Sequence, residues 1–293
     1  MLELLQHPIY GLALMALLGA CVGSFLNVVI LRLPVMLKQQ WHQQCEEFLN
    51  HEQQGAATEH EAQPGVFSLN RPASHCPQCK QALKPWHNIP ILSYIFLGAR
   101  CAWCKNQIPW RYPLVELVTA LGTVHLALHF GVNWQLAGAL LLFWSLLCLT
   151  VIDIDHQLLP DNITIPLLWA GILANYFGLF TTLESAVIGA VAGYLCFWLI
   201  FQIHYRLTGR EGLGYGDFKL LAALGAWLGW EMLPLIVLLA SLTGTVISVA
   251  MMAFRKLKRR TAISFGPYLA MGGWIALVWG QTITGSYIQL LGF

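Results

Sequence analysis

Charge is what this sequence has least of. Only 10% of its 293 residues are Asp, Glu, Lys or Arg, against about 25% in an ordinary soluble domain, while 57% are hydrophobic. That balance excludes a water-soluble globular protein and points to a membrane protein. Other absences narrow the field. No basic residue precedes Leu18-Gly19-Ala20-Cys21, and Glu3 stands where the basic part of a secretion signal belongs, so this lipoprotein-like box is a decoy and Cys21 is expected to pack in the first span. No strand pattern precedes Gly212, Gly214 and Gly216, which weakens a nucleotide-loop interpretation. No βαβ pattern surrounds either C-x-x-C pair, which argues against a thiol redox motif. No internal repeat or pair of symmetric halves is apparent, as many transporters would show. No feature suggests a nucleic-acid partner.

What the chain has in abundance is long apolar runs. A bilayer core about 30 Å thick needs about 20 apolar residues per helix. The sequence predicts eight spans, over residues 9–31, 113–130, 135–152, 163–180, 185–204, 218–230, 233–254 and 266–290. The second, with Glu116, His125 and His129, and the short sixth are the weakest of these. In this arrangement every Lys and Arg falls on one side: Arg32, Lys38, Arg71, Lys80, Lys84, Arg100, Lys105 and Arg111 around the first loop, Arg206, Arg210 and Lys219 around the loop after the fifth span, and Arg255, Lys256, Lys258, Arg259 and Arg260 after the seventh. By the positive-inside rule that side is the cytoplasm, and both termini are predicted to be periplasmic. The expected fold is an all-α polytopic membrane protein, with residues 1–33 as the first transmembrane helix, a cytoplasmic loop over 34–112, and a transmembrane core over 113–293. Residues 38–63, rich in Gln, Glu and His, suggest a surface helix and then a flexible stretch.

The second half of the loop, about 71–112, reads as a small ordered module. Cys76-Pro-Gln-Cys79 and Cys101-Ala-Trp-Cys104 are two C-x-x-C pairs whose separation is close to four-cysteine zinc spacing. Four thiolates complete a tetrahedral shell around Zn²⁺ and leave no open position, so the metal is expected to be structural. Disulfides are the alternative, but they rarely persist in a reducing compartment. His75 and His87 are expected to be incidental, and Cys45, Cys148 and Cys196 to be ordinary packing residues.

Acidic residues near a membrane carry information because they are costly there. Asp153, Asp155 and Asp161 cluster where the third span ends and the fourth begins; Asp217 follows Gly212, Gly214 and Gly216 at the start of the sixth. Although Asp153 and Asp217 are far apart along the chain, the topology brings both to one face and one depth. Two carboxyls in proximity cannot easily both ionise, so one can take a proton from water while the other donates to a peptide carbonyl. The glycines before Asp217 would allow a sharp bend and close approach of substrate. The same acids also fit solvated loop or helix-capping positions, Asp161 above all as an N-cap with Asn162 beside it. Lys219 fits a positive-inside anchor, and Glu116 a residue facing the bundle interior.

Gly214-Tyr215-Gly216-Asp217 is a G-x-G-D signature. With Gly23-Ser24-Phe25-Leu26-Asn27-Val28-Val29, the paired C-x-x-C module, Arg111-Tyr112-Pro113-Leu114-Val115-Glu116, the segment from Asp153 to Asp161, and Phe265-Gly266-Pro267-Tyr268, it resembles the bacterial type IV prepilin peptidases, motif after motif in the same order. The resemblance implies an inner-membrane aspartyl protease that removes the basic leader of type IV prepilins and type II secretion pseudopilins at the cytoplasmic face. It also implies methylation of the new N-terminus with S-adenosylmethionine. By motif, Asp153 and Asp217 match the catalytic pair, and Asp155 and Asp161 match neighbouring acidic positions that are not catalytic. One departure concerns methylation: Gly98-Ala99-Arg100-Cys101 has Ala99 where the family often has a second glycine. An ion or solute transporter and a non-catalytic zinc-module assembly factor are the competing classes.

Overall fold

The computed structural model describes residues 8–53, 68–69, 73–76, 78–84, 86, 89–210, 212–254 and 264–290. Arg71, His87, the second half of the 38–63 stretch and the basic run Arg255 to Arg260 lie outside the described residues. The described chain is helical: α1 (Pro8–Gln53), a short α2 (Leu92–Phe96), α3 (Arg111–Phe130), α4 (Trp134–His156), α5 (Asp161–Tyr176), α6 (Leu183–Thr208), α7 (Tyr215–Leu228), a single 3-10 turn (Trp230–Met232), α8 (Leu233–Ala253) and α9 (Gly266–Leu290). The β content among these residues is two isolated bridges, His75 to Ala82 and Arg100 to Gln107.

A helix stands at each of the eight expected span positions. Five stretches are long and apolar enough to cross a membrane by length and composition: Tyr10–Leu49, Arg111–Phe130, Trp134–His156, Leu183–Thr208 and Trp230–Ala253. The chain is therefore a multi-pass membrane protein. The other three helices fall short of that standard for identifiable reasons. At 1.5 Å per residue, α5 with 16 residues is about 24 Å long and α7 with 14 is about 21 Å, both short of a bilayer core of about 30 Å. The third, α9, is long enough, but Gly, Gln, Ser and Thr dilute its apolarity.

The first helix does not end near residue 31. It continues for 46 residues, about 69 Å, straight through Pro34. The expected surface helix is thus an extension of the first span, and its side chains from Lys38 onward are almost all exposed.

The structure divides into two compact units, Met1–Val124 and His125–Phe293. In the first, α1 and α3 touch at backbone distance. A Cβ on Gly19 would lie 2.7 Å from Thr123 Oγ1, and one on Gly23 would lie 2.7 Å from Glu116 Cα. Small residues four apart let membrane helices approach this closely. Two separate motifs of the sequence become one contact here: Asn27 Nδ2 donates to the Tyr112 carbonyl at 3.1 Å, and Gly23 lies against Glu116. Glu116 is buried, as expected, and also accepts the Ile91 N–H at 2.8 Å.

In the second unit α7 is the central helix. Phe218 and every residue from Leu220 to Trp227 are buried, and α7 packs against α5, α6 and α9. Its contact with α6 is glycine on glycine: a Cβ on Gly225 would lie 2.2 Å from the Gly189 carbonyl oxygen, and one on Gly193 2.7 Å from that of Leu221. At the far end, buried Asn175 donates to the Ala226 and Trp227 carbonyls and accepts the Phe180 and Thr181 N–H groups. The Trp227 indole donates to the Leu167 carbonyl at 2.8 Å. These bonds satisfy the free carbonyls that end α7 and fix its height against α5. Of the single cysteines, Cys148 packs in the core as expected, whereas Cys21 and Cys196 are exposed on their helices.

Candidate active site

Asp153 lies in the last turn of α4, whose end is set by Gln157 in a left-handed conformation (φ 51°) donating to the Asp153 carbonyl at 2.9 Å. A carboxylate at a helix C-terminus opposes the local dipole. The compensation comes from another helix: Gly266, the first residue of α9, donates its N–H to Asp153 Oδ2 at 3.1 Å. Asp217 is the third residue of α7, after the N-cap Gly214, in the first turn where the helix dipole favours a negative charge. Asp153 thus takes a backbone donor from one helix N-terminus, and Asp217 stands at another. Asp153 is 5% exposed and Asp217 6%, so both are buried.

Leu159 joins the two halves of this arrangement. It is buried in the short link between α4 and α5, with Gly216 and Gly266 both against it. A Cβ on Gly216 would meet Leu159 Cβ at 2.8 Å, and one on Gly266 would meet Leu159 Cδ2 at 3.2 Å and Asp153 Oδ2 at 2.6 Å. The glycines before Asp217 therefore serve close packing, not the sharp bend expected of them. Gly214 has ordinary extended angles (φ −79°, ψ 142°), and none of Gly212, Gly214 and Gly216 is at positive φ.

The remaining acids separate from this pair. Asp155 is exposed. Asp161 does not cap α5: Pro160 holds the N-cap position without a side-chain bond, and Asp161 instead takes the Lys219 ammonium on both oxygens at 2.7 Å. Lys219, the fifth residue of α7, thus bridges to the first residue of α5, a pairing that its expected role as an anchor does not include. Sequence reasoning had no signal for this pair, whose members are remote from each other along the chain, nor for the Gly266 donor, which is a backbone group.

The four cysteines come together. Their sulfurs all lie within 4.8 Å of one another, and Cys76 Sγ to Cys104 Sγ is 3.7 Å. Two sulfurs on a tetrahedral Zn²⁺ with bonds of about 2.3 Å would be about 3.8 Å apart. The cluster is therefore able to hold a metal ion. Two matching backbone knuckles build it, the second repeating the bonds of the first. Cys76 N donates to Gln81 O, Lys80 N to Cys76 O and Leu83 N to Ser74 O; Cys101 N donates to Asn106 O, Lys105 N to Cys101 O and Ile108 N to Ala99 O. Lys80 (φ 54°) and Lys105 (φ 58°) turn the chain at the same point of each. This local repeat is invisible in the sequence beyond the cysteines. The N–H groups of Cys79 and then Gln78 push the Cys76 thiol down from 9.0 to about 6, and those of Cys104 and then Trp103 lower Cys101. Backbone donors aimed at sulfur favour the thiolate, which is the form that binds metal.

A helical membrane bundle with two buried aspartates and a four-cysteine module defines a class of polytopic membrane protein built around a carboxylate pair. Residues 17–130 match the bacterial peptidase A24 N-terminal domain, and residues 140–249 match the type IV leader peptidase family. The chain is 50% identical to the prepilin leader peptidase/N-methyltransferase of Pseudomonas aeruginosa, over 99% of this chain and 98% of that protein. It is 48% identical to the protein of that name from Aeromonas hydrophila (94% and 93% covered) and 44% identical to that from Neisseria gonorrhoeae (91% and 90%). No solved structure matches it at a significant level. The chain belongs to the type IV leader peptidase family.

Proposed function

We propose that this chain is a bifunctional enzyme of the bacterial inner membrane that cleaves the leader from type IV prepilins and type II secretion pseudopilins and then methylates the exposed amino group. The observation that carries the proteolytic half is the pair Asp153 and Asp217, buried together in a chain otherwise depleted of acids. Sharing one proton, the pair polarises a water and the scissile carbonyl at once. The ionised carboxylate takes a proton as the water oxygen bonds to the carbonyl carbon, and the protonated one donates to the carbonyl oxygen. The tetrahedral intermediate then breaks at C–N as the leaving amine gains a proton. The backbone donor of Gly266 holds Asp153, Asp217 stands in the first turn of α7, and Asp155 and Asp161 take no direct part.

In the proposed topology eight helices cross the membrane, both termini are periplasmic, and the dyad lies at the cytoplasmic face. A prepilin can then keep its apolar helix in the bilayer while its basic leader stays in the cytoplasm. Residues 113–293 form the protease core. Cys76, Cys79, Cys101 and Cys104 hold a structural Zn²⁺ that ties the 71–112 module together. S-adenosylmethionine supplies the methyl group in the second reaction.

Cleavage of a prepilin by the purified protein in detergent tests the dyad. Asp153→Asn and Asp217→Asn are each expected to abolish cleavage while insertion and thermal unfolding stay near wild type. Retained cleavage in a folded variant would remove that residue from the mechanism.

A further inference from the structure

The 71–112 module wears its apolar residues on the outside. Within α2, Leu92, Ile95 and Phe96 follow helical spacing on one face, and all three are exposed, with Phe96 85% accessible. Ser93 and Tyr94 on the other side are half-buried. Trp86, Ile89 and Trp110 are exposed as well, Trp110 at 71%. Soluble domains rarely present so much contiguous apolar surface without a partner.

The backbone fixes where this face lies relative to the first unit's own membrane helix. Ile91, immediately before α2, donates its N–H to Glu116 in the second turn of α3. Just beyond α2, Ala99 accepts the N–H of Ile108, three residues before α3 begins at Arg111. Both ends of α2 are thereby pinned to the start of a membrane-spanning helix. Ile91 (φ 60°) is held in a left-handed conformation that a β-branched residue rarely adopts, and Glu116 bonds its N–H there. Charge points the same way. From residue 62 to 115 the sequence has no Asp or Glu but has Arg71, Lys80, Lys84, Arg100, Lys105 and Arg111. Even a four-thiolate Zn²⁺ centre, with a net charge of about −2, leaves this segment cationic.

We infer that the face formed by Leu92, Ile95 and Phe96 docks in the headgroup region of an anionic bilayer, the same membrane that α3 enters. An apolar helical face in a segment rich in basic and aromatic residues is what such an interface accepts. The docked face would hold the module flat against the membrane, with lysine and arginine heads among the lipid phosphates.

Replacing Phe96 by p-benzoylphenylalanine in the full chain tests this, because the substitution keeps an exposed aromatic in place. The protein is reconstituted in nanodiscs of phosphatidylcholine with phosphatidylglycerol, irradiated, and the adduct at residue 96 is identified by mass spectrometry; zinc content checks that the module is folded. Lipid adducts are expected to dominate, and to exceed those from the same probe at Ser93. Each Lys or Arg near an anionic surface contributes about a fivefold factor, so Lys84→Gln with Arg100→Gln should cut the lipid yield at 96 by about fivefold or more. An adduct with another peptide of this chain, or with added prepilin, would overturn the inference in favour of a protein-facing surface. Equal lipid yields at 93 and 96 would overturn it too.

Discussion

Gly266→Ala puts one methyl group against the Asp153 carboxylate, one of the two proposed catalytic groups. Its Cβ would lie 2.6 Å from Asp153 Oδ2 and 3.2 Å from Leu159 Cδ2. An ordinary carbon–oxygen contact begins near 3.2 Å, so the carboxylate must withdraw by about 0.6 Å, and the Gly266 N–H to Oδ2 bond, now 3.1 Å, is stretched or lost. A hydrogen bond to a charged group contributes about 1.5–3 kcal/mol, and a misplacement of about 1 Å in a reacting group can cost about a hundredfold. The expected result is a tenfold to hundredfold fall in kcat for prepilin cleavage, with KM changed much less because the substitution acts on the placement of Asp153. The assay is initial-rate cleavage in detergent, with thermal unfolding alongside; overpacking by one methyl should cost about 1–3 kcal/mol of stability, short of unfolding. A kcat within twofold of wild type would refute the reasoning, since it would mean that neither the position of Asp153 nor its backbone donor matters to the chemistry.

The α6–α7 crossing predicts a different outcome for another glycine: a Cβ on Gly225 would sit 2.2 Å from a backbone carbonyl that cannot swing away, so Gly225→Ala should lose folded yield, whereas Gly285→Ala, with nothing within 4 Å, should match wild type in unfolding temperature. The Asp161–Lys219 pair is partly exposed, so Lys219→Met should cost less than about 1 kcal/mol of stability; if the pair positions the start of α7, cleavage should still fall severalfold and recover in Lys219→Arg, and unchanged kcat in Lys219→Met would make the bridge incidental. Cys79→Ser or chelation should remove one Zn²⁺ per chain and open the 73–108 segment to proteolysis, read by metal analysis and peptide mapping. Because the folded Cys76 thiol sits at about 6 rather than 9.0, its contribution to the metal-free fold is complete above about 9, declines between 9 and 6, and is gone below that, so protease resistance of the stripped module should fall as pH is lowered through this window.

Hydropathy and charge placed a helix at every expected span position because burying backbone in lipid demands helices of nearly fixed length, and that demand is written in composition. The cysteine cluster was legible for a related reason: a tetrahedral site needs two pairs with short internal spacing, and few other structures do. Asp153 and Asp217 drew notice because acids near a membrane are costly and therefore few, and both are buried in the fold. Helix lengths were less so. The first helix reads as ending near 31, since Pro34 and a polar stretch follow, yet the i to i−4 bonds resume and carry it to Gln53. Hydropathy reports where a helix leaves lipid, not where it ends.

What escaped the sequence is the way the two carboxylates are held. Asp153 is held by a backbone group: Gly266, far along the chain from it, offers an N–H at the start of a helix, while Asp217 stands in the first turn of α7. Those two helix N-termini favour negative charge where α4, by its own dipole, disfavours it. The glycines make this possible by omission, because a Cβ at Gly266 would occupy the space of the Asp153 carboxylate and a Cβ at Gly216 that of Leu159. A motif that looks in sequence like flexibility around an acid is, in the fold, a set of absent methyl groups that lets three helix ends meet around two carboxylates. Short α7 fits the same arrangement: at about 21 Å it places Asp217 in its first turn and is capped at its far end by Asn175 within the bundle.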